Sequence, residues 1–140
     1  YKDSFNKEWP VEVRPIDPVD LMDPQPKQPQ NFIWFRAKSS LPDKVSLHQC
    51  VLAYMSDMSL LDTCTNPHGI NFMSNNLQSA SLDHAMWFHR PFKANEWLLY
   101  SQDSPSASGA RGFNRGSIYD ASGNLVASVA QEGLIRVIKS

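Results

Sequence analysis

The chain is poor in charge. Its 13 Lys and Arg against 14 Asp and Glu leave a net charge of −1 over 140 residues. Nothing in that balance would neutralise a phosphate backbone, which argues against a nucleic-acid partner. No apolar run approaches the roughly 20 residues needed to cross a bilayer, so no membrane span is expected. The opening Tyr1-Lys2-Asp3-Ser4 is polar and charged, unlike a signal peptide. Cys50 and Cys64 are the only cysteines and form no CxxC pair, so zinc and thiol-redox motifs are not expected. No repeat or low-complexity segment is present. What is there is 41% apolar residues, enough for one globular domain with a sizeable core.

Proline crowds the N-terminal part. Pro10, Pro15, Pro18, Pro24, Pro26 and Pro29 exclude a helix there. Val11 to Arg14 alternates and reads as a short strand, with a connector from Asp17 to Gln30. Residues 1–30 are therefore a strand and connector, and 31–140 the main domain. Asn31 to Lys38 is a strand rich in aromatics. Ser39 and Ser40 offer capping hydroxyls, and Pro42 suits a first helical turn. Val45, His48, Leu52, Met55, Met58 and Leu61 then recur at steps of three and four, which predicts a helix from Asp43 to Leu61. With Val51, Tyr54 and Leu60 also apolar, it is expected to be buried on most sides, with Cys50 an inert buried thiol. Strands are expected at Ser79–Arg90, Glu96–Ser101, Gly109–Tyr119 and Leu125–Ile138. Asp120 to Asn124 is a hairpin turn. The order is two strands, one long helix and four antiparallel strands in a meander. One helix must then cover the sheet. This α+β arrangement, a curled antiparallel sheet around a single helix, is the hotdog fold.

Three places break local rules, which is where function tends to sit. Asp57 falls near the helix C-terminus, where the dipole disfavours a negative charge and no neighbour three or four residues away is a cation. If buried, its carboxyl pKa would rise; the bland alternative is an exposed helix end. Gln131 is a lone amide on the stripe Leu125, Ala127, Val129, Gln131, Gly133, Ile135, and needs partners; the alternative is an ordinary satisfied core glutamine. The segment from Ser81 to Arg90 mixes polar and apolar residues on both faces of one strand. His84 and His89 point to opposite faces of such a strand, so no metal site is expected from them and Asp83. Arg111 and Arg115 lie among Gly109, Gly112 and Gly116. They are candidates to meet substrate phosphates, although the glycines match no phosphate-binding fingerprint and suit a bent strand better.

Longer motifs carry a resemblance. Leu82-Asp83-His84-Ala85-Met86-Trp87-Phe88-His89-Arg90-Pro91-Phe92, then Glu96-Trp97-Leu98-Leu99-Tyr100, resembles the C-terminal half of the acyl-CoA thioesterase II family. So do Ala107 to Phe113, Val129 to Arg136, Glu12-Val13-Arg14-Pro15, His48-Gln49 and Tyr54-Met55-Ser56-Asp57. The resemblance implies a chain that is one half of a double hotdog. It implies a catalytic set of Asp57, Ser81 and Gln131, with serine at a position where many members carry threonine. It also implies hydrolysis of fatty acyl-CoA by a water that these three hold, with Asp57 as general base. No metal or organic cofactor is then needed, because coenzyme A arrives as part of the substrate. A second hotdog is the expected partner, either an N-terminal half or another copy in a homo-oligomer.

Two other readings compete. One is a non-catalytic acyl-CoA-binding or structural half-domain that depends on its N-terminal hotdog. The other is a hotdog enoyl-CoA hydratase, for which Asp43 and His48 have the right spacing but lack the flanking pattern. Cytoplasm is the default location. Ile138-Lys139-Ser140 is not the peroxisomal Ser-Lys-Leu signal, though a eukaryotic source would leave the peroxisome open.

Overall fold

A computed structural model describes residues 10–16, 30–57, 60 and 77–137. The readings at Asp17–Pro29 and Met58–Ser59, and at Thr65 to Gly69, lie outside these residues. Seven strands and one helix are found among the described residues: β1 (Val11–Pro15), β2 (Gln30–Ala37), α1 (Val45–Ser56), β3 (Leu77–Ser81), β4 (Ala85–Phe88), β5 (Leu98–Ser108), β6 (Arg111–Tyr119) and β7 (Leu125–Val137). They form one antiparallel sheet in the order β1-β2-β5-β6-β7-β3, with β4 also paired to β7.

Alternation explains the strands. Ile33, Phe35 and Ala37 of β2 are buried while the residues between them are not. Leu98, Tyr100, Gln102 and Ser104 of β5 follow the same rule, as do Gly112, Asn114, Gly116 and Ile118 of β6. These inward faces curl around α1. Leu52 and Met55 of the helix share one core with Phe35, Tyr100, Ile118 and Val129 of the sheet. Phe35 and Tyr100 stack at 5.3 Å between ring centroids. Burying each such side chain contributes about 1.5–3 kcal/mol. The hotdog arrangement expected from the residue pattern is the one observed.

The helix departs from expectation. It starts at Val45 on an N-cap, Lys44, that makes no side-chain cap, and has no acidic residue in its first turn or basic residue in its last. The serines at 39 and 40 do not cap it. Without those aids a twelve-residue helix owes its stability to packing. Its packed face is His48, Leu52, Met55 and Ser56. Val45 and Tyr54 are exposed, and Cys50 is a free, exposed thiol, so the expected all-round burial does not hold in this chain.

The strands after the helix are not a simple meander. Only β5, β6 and β7 follow one another in space; β3 and β4 cross to the far edge and pair with β7. β5 is longer than expected and runs on past a register shift between Asp103 and Ser106. Gly109 and Ala110, both at φ 60, close β5 onto β6 as a two-residue hairpin, the left-handed turn that matches strand twist. The second hairpin turn is where the sequence places it: Asp120 Oδ1 accepts from the backbone N–H of Ser122 and of Asn124 at 3.0 and 2.9 Å.

Candidate functional site

The expected single strand from Ser79 to Arg90 is broken, and the break builds the site. Ser81 pairs with Gly133, whereas Ala85 pairs with Ala130. Residues 82–84 therefore face only 131 and 132, one residue too many. The backbone N–H groups of Leu82 and Asp83 both donate to Glu132 O, at 2.9 and 3.3 Å. The Asp83 carboxylate in turn accepts from Glu132 N–H at 2.8 Å. This is a β-bulge, which shifts the phase of a strand and re-aims a side chain. In an unbroken strand Ser81 and His84 would point to opposite faces. Here one step back along the β4 register sets His84 opposite Gln131, on the face that Ser81 also shares.

Gln131 is fully buried. Its amide nitrogen donates to Ser81 Oγ at 2.8 Å, and its amide oxygen meets His84 Nδ1 in a short hydrogen bond. His84 Nε2 lies 2.9 Å from Ser56 Oγ. Asp57, the C-cap of α1, brings its carboxylate to 3.9 Å from His84 Nδ1. The helix end is held by Tyr100, whose hydroxyl donates to Ser56 O at 2.7 Å. Burial, reinforced by the Asp57 charge, pushes the Tyr100 phenol far up, so it remains a neutral donor. A cleft of about 640 Å³ opens beside these groups, lined by Ala53, Tyr54, Asp57, Ser81, Leu82, Asp83 and His84. Its walls join a carboxylate, a hydroxyl and an imidazole to apolar surface, which suits holding a polar reacting centre at the end of an apolar substrate.

The structure thus brings Asp57, Ser81 and Gln131 into one neighbourhood. Asp57 is not the buried carboxylate considered above: its side chain is 57% exposed. Gln131 does have the partners that a buried amide needs. Arg111 and Arg115 are not in this neighbourhood. They project from the face of β6 opposite to Asn114, the residue paired with Gln131. Arg115 is held by Asp103 through two bonds of 2.9 and 2.7 Å, and Arg111 lies 3.4 Å from Glu132. Sequence reasoning missed Ser56 and gave His84 no role. Position alone hides His84, because strand alternation turns it away until the bulge restores it. His89 goes elsewhere, to Ser128 Oγ at 2.8 Å.

The spacing of Asp43 and His48 does not make a second site. His48 is 2% exposed, and both ring nitrogens are committed: Nδ1 accepts from Ala94 N–H and Nε2 bonds Pro42 O, each at 3.0 Å. Asp43 pairs instead with Lys93.

The family profile for acyl-CoA thioesterases matches residues 1–134. The chain is 40% identical over 136 residues to human acyl-coenzyme A thioesterase 8, covering 94% of this chain and 41% of that protein. It is 36% identical to acyl-CoA thioesterase 2 of Haemophilus influenzae, over 96% of this chain and 47% of that one. Among solved structures, an acyl-CoA thioesterase II from Mycobacterium marinum superposes with a TM-score of 0.79 at 48% identity, covering 96% of this chain and 50% of its own. The chain therefore spans less than half the length of these two sequence relatives and half of the solved chain.

Proposed function

The chain belongs to the acyl-CoA thioesterase family, and from that premise we propose that it supplies the water-activating half of an enzyme that hydrolyses fatty acyl-CoA to fatty acid and CoA. The observation that carries the reading is the buried Gln131 amide bonded to Ser81 beside the Asp57 cleft. A thioester carbonyl is already electrophilic, so a positioned and activated water is the main requirement. Asp57 takes the proton of that water as it attacks the carbonyl carbon, a contribution of about 10²–10⁴-fold for a general base. Its exposure to the cleft suits that role. Ser81 accepts from Gln131, which leaves its own O–H to donate, and Gln131 keeps a second amide hydrogen. Together they orient the water. The tetrahedral intermediate then collapses, breaking the C–S bond and releasing CoA as a thiolate that takes up a proton.

The oxyanion needs a donor. The N-terminus of α1 lies about 18 Å along the axis from Asp57, at 1.5 Å per residue, so it is not that donor. A second hotdog supplies it in this proposal. Two observations support such a partner: the relatives are about twice as long, and Tyr54 and Leu82 are exposed apolar side chains lining the cleft. The partner is an N-terminal half or another copy of this chain. No cofactor enters beyond the CoA of the substrate. No helix among the described residues is long and apolar enough to cross a membrane. A cytoplasmic location belongs to the same proposal, with cell fractionation as its check.

The test is release of free CoA thiol from a medium-chain acyl-CoA by the full-length protein and by the 140-residue chain alone. Turnover by the full-length protein that falls at least about a hundredfold in Asp57→Asn, the scale of a general base, supports the reading. No turnover from either would sink it and leave acyl-CoA binding as the function. Wild-type rates in Asp57→Asn would remove Asp57 from its role.

A further inference from the structure

The reaction outlined above uses Gln131 in only one of its two amide orientations, and one side chain decides between them. An amide oxygen accepts and an amide NH₂ donates. With the nitrogen toward Ser81, the Ser81 hydrogen is free for water or Asp57. With the amide turned over, its oxygen would take the hydrogen of Ser81, and nothing would be left to donate into the cleft. The group at the other end of the amide is His84 Nδ1. A ring nitrogen that carries hydrogen selects the amide oxygen, and hence the productive orientation. Ser56 Oγ, 2.9 Å from Nε2 and itself donating to Ala53 O at 2.9 Å, anchors the far side of the ring, while the Asp57 carboxylate, 3.9 Å from Nδ1, is an acceptor that favours a hydrogen on that nitrogen.

We propose that His84 is a positioning residue for thioester hydrolysis, holding Gln131 in the orientation that keeps the Ser81 hydroxyl free to act on the water. The inference rests on the function proposed above. Three independent observations carry it. The bulge at Leu82–Asp83 turns His84 onto the face of Gln131. The ring bridges Ser56 to Gln131 with one nitrogen each. Finally, Asp57 lies 3.9 Å from the same Nδ1, so the ring also borders the group assigned as base. Residues 56, 84, 131 and 81 form one relay from the end of α1 to the hydroxyl at the cleft.

Three variants of the full-length protein separate this role from mere packing. His84→Asn places an amide nitrogen on Cγ, where Nδ1 stood, and keeps the donor to Gln131 while losing Ser56. His84→Gln reaches the position of Nε2 and keeps Ser56 while losing Gln131. His84→Ala loses both. The expected result is a kcat about ten- to a hundredfold lower in His84→Ala, with KM changed little, the range in which a misplaced reacting group costs rate. His84→Asn should recover most of kcat, and His84→Gln should stay as low as His84→Ala. A structural role would instead order the three by stability and shift KM alongside kcat, with no advantage to asparagine. Equal kcat in the asparagine and glutamine variants, or kcat within about twofold of wild type in His84→Ala, overturns the proposal. If His84→Ala fails to fold, the comparison of asparagine with glutamine still decides. Wild-type turnover abolished by Asp57→Asn but untouched by the His84 variants refutes the role of His84 alone. Absence of wild-type turnover refutes the thioesterase reading beneath it.

Discussion

Gly116→Ala should be among the most damaging single-methyl additions to this domain. A Cβ built on Gly116 would overlap Tyr100 Cε1 and lie 3.0 Å from its Cζ. The Tyr100 ring has little room to yield. It is fully buried, it stacks on Phe35 at 5.3 Å, and its hydroxyl is tied to Ser56 O at 2.7 Å. Overpacking a dense core costs about 1–3 kcal/mol, and the hydrogen bond lost when the ring moves adds about 1 kcal/mol. The sum is about 2–4 kcal/mol, a fall in melting temperature of roughly 8–16 °C at about 4 °C per kcal/mol. Urea unfolding followed by tryptophan fluorescence measures it directly. Adding Tyr100→Leu to Gly116→Ala removes the clashing ring, so the double variant should be less destabilised than the sum of the singles by about 1–2 kcal/mol. A Gly116→Ala chain within about 0.5 kcal/mol of wild type would refute the reasoning, because surface-like tolerance would mean the ring does not lie over the glycine. Since Ser56 adjoins Asp57, turnover should fall along with stability.

His48→Ala should destabilise by about 2–4 kcal/mol, because it strands the Ala94 N–H and the Pro42 carbonyl, yet leave kcat unchanged at a temperature where the variant is folded. Loss of kcat without loss of stability would return His48 to the list of functional groups. Glu12 is held below its ordinary pKa of 4.5 by the guanidinium groups of Arg14 and then Arg36, and Arg36 in turn lies 4.4 Å over the Trp97 ring. A folded-state pKa below the unfolded one contributes stability above about pH 4.5, and that stability is lost as pH falls through the lower folded value. Acid unfolding curves of the wild type and of Glu12→Gln should therefore converge below that window and separate above it; parallel curves throughout would show that the ion pairs contribute nothing.

Much of this molecule is legible in its residues. The alternation of Ile33, Phe35 and Ala37, the turn at Asp120 to Asn124 and the single run at helical spacing are local patterns, and local patterns suffice for a curled sheet around one helix. Gln131 stood out as an amide on an apolar stripe because burial without partners is costly, and the structure provides the partners. Asp57 stood out at a helix end because the dipole opposes its charge. The long motifs around Leu82–Phe92 and Gln131–Gly133 carried the family resemblance.

The rest depends on pairings between distant segments, which no local pattern contains. Strand alternation turned His84 away from Ser81; only the two-against-one contact of Leu82 and Asp83 with Glu132, fifty residues on along the chain, reverses the phase and creates the relay. The placement of β3 and β4 beside β7, rather than beside their neighbour β5, is likewise a choice among sheet edges. Apolarity marked Val45, Cys50 and Tyr54 as buried, but burial is a property of what packs against a face, and this chain packs only the side of α1 that carries Leu52 and Met55. Local chemistry therefore selects the elements and the unusual residues. Long-range register decides which of those residues meet, because a one-residue shift in a strand moves every following side chain to the other face.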